Sequence, residues 1–272
     1  MIKNLVLLLA VLLAACGGGG ENATDGSSSS TWSSSPVPAA SRAVLDEDVV
    51  LTRLIAGTFA ANRNAFVFSM TGLRDVGALF ASPCTSSTPG LYGGDAVFSF
   101  ARDAAGNVVG EGNYFGFNGC LGIGLHGFAI ASGVMPSYSL SSLNLAFNDF
   151  LIGRWPKSYR FTGTATIHWS PIGYAVLLTG AISDDITGRL LFSLTNFLVD
   201  AETNVGGIAG VDELSVSGVI TDISLGLIAS VSTSGRIFSD HGPSAFYSGQ
   251  YQITTSGSSS PVVYDNGMPT YP

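Results

Sequence analysis

Residues 159–169 read Tyr-Arg-Phe-Thr-Gly-Thr-Ala-Thr-Ile-His-Trp. Tyr159, Phe161, Gly163, Ala165, Ile167 and Trp169 share one parity, and Arg160, Thr162, Thr164, Thr166 and His168 share the other. A period of two with apolar residues on one side is the pattern of a strand that turns one face to a core and the other to water. Outward from this stretch, further strands are expected over 174–183, 188–198, 214–222, 225–233, 236–239 and 245–254, several broken only by short turn-like segments. Connections that short cannot make the crossovers that parallel strands require, so an antiparallel meander follows.

Upstream, 96–101 and 108–115 flank Asp103-Ala-Ala-Gly-Asn107 as the arms of a hairpin, and 65–70 is apolar and β-prone. Only over 45–60 does a short helix compete with a strand, because Val49, Val50, Leu51, Leu54 and Ile55 lie near helical spacing. With 35 Gly in 272 residues, the composition suits strands and tight turns. The expected class is all-β: a small β-barrel, with a β-sandwich as the alternative, from about residue 150, preceded by a less regular N-terminal half.

A short signature recurs in the expected strands, as Thr162-Gly163, Thr179-Gly180, Ser217-Gly218 and Ser234-Gly235, each followed by a small or branched residue or by arginine. Gly163 and Gly180 are 17 residues apart, as are Gly218 and Gly235, and the second pair repeats the first at an offset of 55. Duplicated hairpins would give that spacing, and so would coincidence in a chain so rich in Gly, Ser and Thr. A glycine inside a strand marks a bend or bulge, which a small barrel needs in order to close.

At the N-terminus, Lys3 precedes an apolar run from Leu5 to Leu13 and then small residues, the layout of an export signal over 1–15. The run is too short for a membrane-spanning helix, which needs about 20 apolar residues. Leu13-Ala14-Ala15-Cys16 resembles the bacterial lipobox, which implies cleavage before Cys16 and a diacylglycerol with palmitate-type acyl chains on its thiol. A free cysteine at an ordinary cleavage site is the plainer alternative. Residues 16–44, opening on four glycines and rich in Ser and Pro, are expected to form a flexible tether to a globular region over 45–272. Gly17 follows the cysteine, and lipoproteins of this pattern resemble those carried to the outer membrane, on its surface or its periplasmic face.

With Cys16 assigned to lipid, Cys84 and Cys120 remain as an even pair in an oxidising compartment, and a disulfide stapling the N-terminal half is expected. Two isolated thiols without Cys-x-x-Cys or paired histidine spacing make a poor metal site, and no metal or cofactor is expected. The formal net charge of −8 disfavours nucleic acid as a partner.

Catalytic patterns are sparse. His126 lies in a glycine-rich stretch, His168 on the polar face of 159–169, and His241 beside Asp240 before Gly242-Pro243, where a turn explains both residues. Asp184-Asp185 and Asp212-Glu213 are the carboxylate pairs that glycoside hydrolysis would need, yet both are expected at strand ends, where turns favour Asp. Asp103 and Asn107 around Gly106 lack the dense acidic spacing of a calcium loop. An enzyme is therefore not expected.

The segment Gly235-Arg-Ile-Phe238 followed by Gly242-Pro-Ser-Ala-Phe-Tyr-Ser-Gly-Gln-Tyr251 resembles the closing hairpin of transferrin-binding-protein-like surface lipoproteins. The pattern departs at Tyr247, where that family has an acid, at Gln250, where it has glycine, and at His241. The resemblance covers only the C-terminal third and implies a barrel, surface display and capture of a host protein or metal-carrying ligand, without transferring any binding residue. A tethered barrel lacking catalytic residues is expected to act as a binding module, with a structural envelope role as the alternative. Alternating Thr/Ser and apolar faces would also suit a membrane-spanning barrel, for which a lipid anchor and long tether are redundant.

Overall fold

The computed structural model describes residues 36–61, 74–81, 95–102, 104–118, 123–134, 141–154, 156–207, 211–240 and 246–272. These begin with one helix, α1 (Ala39–Ala61). Fourteen strands follow: β1 (Arg74–Ala81), β2 (Asp95–Arg102), β3 (Asn107–Asn118), β4 (Gly124–Val134), β5 (Ser142–Arg154), β6 (Lys157–Trp169), β7 (Gly173–Asp184), β8 (Leu190–Glu202), β9 (Val211–Asp222), β10 (Leu227–Thr233), β11 (Ile237–Asp240), β12 (Gly249–Thr255), β13 (Ser258–Asp265) and β14 (Met268–Thr270). They form a single antiparallel sheet in sequence order, with β11 pairing β9 beside β10. The all-β meander is thus present, and it is not confined to the C-terminal part: β1–β4 continue the same ladder, in place of the less regular N-terminal half expected from sequence. Among the described residues the sheet is not closed, because β1 and β14 stand at its two ends without pairing each other.

Alternation along the strands sets the inner and outer faces. On β6, Tyr159, Phe161, Ala165 and Ile167 are buried while Thr162, Thr164 and His168 are exposed. On β5, Leu143, Leu145, Phe147, Phe150 and Ile152 point inward, and their exposed neighbours are Asn144, Ala146 and Asn148. Outer faces of Thr, Ser and Asn around an apolar inner face leave β5 and β6 with no greasy exterior of the kind lipid requires.

The inner face packs on α1, which runs against β6–β9 and β13. The helix replaces the short helix or strand expected over 45–60, and its first turns, Ala39–Val44, lie where tether was expected. Its residues from Val49 to Ala60 are all buried, which is the pattern of a helix enclosed on every side, not of an amphipathic surface helix. At its C-terminal half Phe59 stacks on Phe147 with ring centroids 4.7 Å apart, and Phe150 and Phe161 close the cluster.

The recurring Thr-Gly signature has a geometric explanation. Gly163 and Gly180 are direct partners on β6 and β7. A Cβ on Gly180 would lie 2.5 Å from the Thr162 carbonyl oxygen and 2.7 Å from the Phe161 ring, so the two backbones and that ring leave no room for a side chain. Thr162 Oγ1 accepts the backbone N–H of Asp149 (3.0 Å), and Thr179 Oγ1 that of Asn196 (3.2 Å). Asp149 and Asn196 have φ of 53° and 48°, and each sits at a register shift of its own strand. Gly218 faces the second bulge from the other side, with φ of 144° and no space against Phe197. The signature therefore marks one line of bulges at which β5–β9 bend around the helix. Gly235 falls in the link between β10 and β11, whereas Gly180 lies within β7, so the offset of 55 does not superpose equivalent positions.

Candidate functional site

Two sets of residues merit chemical scrutiny: a polar spine along α1 and a groove on the outside of β6–β9. The spine consists of Arg42, Asp46, Asp48 and Arg53, set among the helix's apolar residues. Arg42 donates to the carbonyl of Pro272. Asp46, 4% exposed, accepts the hydroxyls of Tyr251, Tyr264 (2.7 and 2.8 Å to its two oxygens) and Tyr271 (3.1 Å). Burial raises the Asp46 pKa, and the tyrosine hydrogen bonds work against that rise. The same enclosure raises all three tyrosines, because their burial and the neighbouring carboxylate both disfavour a phenolate.

Two residues on, the Asp48 carboxyl is hydrogen-bonded to that of Asp222 at the end of β9. Burial, then the hydrogen bond and negative charge of Asp222, push Asp48 up to about 9. Asp222 is buried too, but hydrogen bonds from Asp48, Ser224 Oγ (2.6 Å) and the Leu225 N–H (2.8 Å) hold it below the usual carboxylate range. The two directions agree on one state: the pair shares a single proton, carried by Asp48 and donated to Asp222. Further along, Arg53 is fully enclosed and donates to Ser239 on β11. Tyr174, pushed up to about 12 by burial, lies within the fields of Arg53 and Asp212. At the helix end the Trp169 indole N–H donates to the carbonyl of Ala60 (2.9 Å), satisfying one of the last-turn acceptors.

The groove, of about 370 Å³, opens on the outer face near the 170–172 turn. Register places His168, Ala175, Asp200 and Ser215 side by side on β6–β9, with Glu202 opposite Glu213 one step along. Glu213 pairs with Arg236 at 3.2 Å. Three carboxylates against that one arginine, bordered by Ile172 and the edges of Trp169 and Tyr174, favour a cationic group with an apolar stem. Among the described residues no group of three His, Cys, Asp or Glu is placed to hold a metal ion.

Of the residues singled out by sequence, only His168 and Glu213 meet in this groove. His126 is exposed on β4, away from both sets. Asp184 and Asp185 occupy the turn expected for them: Asp184 accepts the Thr187 N–H (2.7 Å) and hydroxyl (2.6 Å), which lower its pKa, and Asp185 binds Arg160 (2.6 Å) and Ser158 (2.9 Å). Asp212 and Glu213 stand at a strand end as expected, being the second and third residues of β9, but in the ladder and not in a turn, so strand alternation sends Asp212 into the interior and Glu213 to the groove. Cys16, Cys84, Cys120, Asp103 and His241 lie outside the described residues, Asn107 opens β3, and Asp240 ends β11. In the C-terminal segment, Phe246 is buried and Gly249 has φ of 109°, with the Arg236 carbonyl oxygen 1.9 Å from where a Cβ would sit. The spine was missed from sequence, although Arg42, Asp46, Val49 and Arg53 repeat at helical steps and the period alone was a signal.

No family model, curated protein or solved structure matches the chain.

Proposed function

We propose that the chain is a bacterial envelope lipoprotein, anchored through lipid on Cys16 to the outer membrane, and that it works as a non-catalytic binding module. In this reading the meander is a barrel-like body wrapped on α1, a Cys84–Cys120 disulfide staples its N-terminal half, and a partner is met on the outside. The observation that carries it is the filling of the inner face by α1, which leaves contact to the outer groove and turns. The groove's carboxylates suit a basic protein segment or a cationic small ligand. The weak resemblance to transferrin-binding-protein-like lipoproteins points the same way, toward display.

Metabolic labelling with an alkyne fatty acid tests the anchor: label is expected on the full chain and lost in Cys16→Ser. Protease added to intact cells should then shave the globular part while a periplasmic marker survives; protection that disappears on permeabilisation would sink surface binding. Crosslinking to medium components, compared between the native chain and Asp200→Ala/Glu202→Ala, tests the groove, and identical adducts on both would remove it. A structural envelope role is the second reading, supported by Val109, Phe128 and Ile130, which are 62%, 45% and 58% exposed on the outer side of β3 and β4.

A further inference from the structure

Two ends of the sheet can be told apart by what α1 touches. Glu47 pairs with Lys157 at the start of β6, and Asp48 with Asp222 at the end of β9, so the N-terminal half of the helix lies toward the turns 185–187 and 223–226. Trp169 meets Ala60, and Arg53 meets Ser239, so the C-terminal half lies toward the 170–172 turn and the groove. With a rise of about 1.5 Å per residue, Ala39 stands about 14 Å beyond Asp48 toward the first end. The described chain therefore starts at that end.

That same end carries exposed aliphatic side chains on two adjacent hairpins. Ile186 is 89% exposed, Ile228 65%, Ile223 46% and Leu190 40%. The hairpins touch, since the Ile223 N–H donates to the Leu191 carbonyl (2.9 Å). The carboxylates around them are engaged: Glu47 with Lys157, Asp185 with Arg160, Asp184 with Thr187, and Asp222 with Asp48. Arg189 adds positive charge in the β7–β8 link. The opposite end instead presents Asp200, Glu202 and Glu213 against Arg236.

We infer that the end formed by the 185–187 and 223–226 turns rests on the bilayer surface, with Ile186 and Ile223 seated among the lipid headgroups and the acidic groove facing away. The inference rests on the lipid anchor proposed above, because the anchor holds this end near the membrane. Nineteen residues lie between Cys16 and Pro36, the first described residue, and a chain of that length reaches at most about 70 Å. Confined to that distance, a contact too weak to hold a free protein is populated, because the tether makes it intramolecular. The end at which the described chain starts decides which end docks, and Asp200, Glu202 and Glu213 of the groove are repelled by an anionic bilayer.

The test uses the full lipidated chain reconstituted in vesicles of phosphatidylethanolamine with a minority of phosphatidylglycerol. An environment-sensitive fluorescent amino acid is placed at 186 or, as a control of similar exposure on the other end, at 172, and quenching by brominated acyl chains is read. At least twofold more quenching is expected at 186 than at 172, falling to the level of 172 when Leu190→Asp and Ile223→Asp are added. Equal quenching at both positions in vesicles that still carry the protein on flotation overturns the docking while leaving the anchor standing; stronger quenching at 172 overturns it by reversing the orientation. Loss of flotation overturns the anchor reading and the docking with it.

Discussion

The shared proton of Asp48 and Asp222 makes stability depend on pH in a direction opposite to that of an ordinary salt-bridged carboxylate. In the unfolded chain Asp48 titrates near the ordinary aspartate value of 3.8, and in the folded chain burial and Asp222 push it up to about 9. A carboxyl whose folded pKa is raised contributes its stability in full below the unfolded pKa and loses it as pH rises through the folded pKa. Over that window each pH unit costs about 1.4 kcal/mol per proton, so from about pH 5 to about pH 8 the ceiling is about 4 kcal/mol, and solvent relaxation around the pair reduces it to about half. Asp46, raised by its own burial, adds in the same sense, and Asp222, lowered, affects only the acid side. Asp48→Asn isolates the effect, because an amide N–H can donate to Asp222 at any pH without taking up a proton. Urea unfolding followed by circular dichroism at about pH 5, 6.5 and 8 should give similar midpoints for the two proteins at the acid end and a gap in favour of the variant that widens by about 2 kcal/mol toward pH 8. A gap that stays constant or narrows with pH would refute the shared proton.

Two other expectations concern the packing around the helix. Gly180→Val has to displace the Thr162 carbonyl and the Phe161 ring, so it should cost about 1–3 kcal/mol and lower the melting temperature, while Gly188→Val, in an open turn at φ of 67°, should cost mainly backbone strain and leave the core signal intact. Phe59→Ala empties the centre of the Phe147–Phe150–Phe161 cluster and should cost about 3–5 kcal/mol by chemical denaturation, with Phe59→Leu recovering more than half; a loss under about 1 kcal/mol would mean that the helix end is not packed as described.

The fraction of this fold that sequence made legible follows from what each signal depends on. The parity of Tyr159–Trp169 depends only on one buried face, and β6 appears with that face inward. The Gly106 turn between β2 and β3 is equally local, and its φ of 89° is the kind glycine supplies. The helix was half legible: the spacing of Val49, Leu51, Leu54 and Ile55 hinted at it, but a helix enclosed on all sides loses the polar face that makes amphipathicity readable. The groove was not legible, because Asp200, Glu202, Glu213 and His168 come from three strands and are joined only by register. Register is set by bulges at Asp149 and Asn196, and a bulge shifts alternation by one residue without any change in composition.

The spine raises the question of why a helix buried in a sheet keeps polar residues at all. Apolar side chains of similar volume at Asp46, Asp48 and Arg53 would pack without the cost of taking charged or polar groups out of water, and buried ionic groups are often neutral or unfavourable against such replacements. An all-apolar helix, however, slides and rotates within an apolar trough with little penalty, since Leu, Ile and Val contacts are nearly interchangeable from one turn to the next. Asp46 under three tyrosines, Asp48 on Asp222 and Arg53 on Ser239 are not interchangeable: moving the helix by one turn leaves each of them buried without its partner, at about 1–3 kcal/mol apiece. The partners come from β9, β11, β12, β13 and the C-terminal residues, so the same pins that fix the helix also fix how the last strands curl toward it. The bulge line across β5–β9 bends the sheet from one side, and the spine holds its other side to the helix. Together they set the outer curvature on which the β6–β9 groove depends.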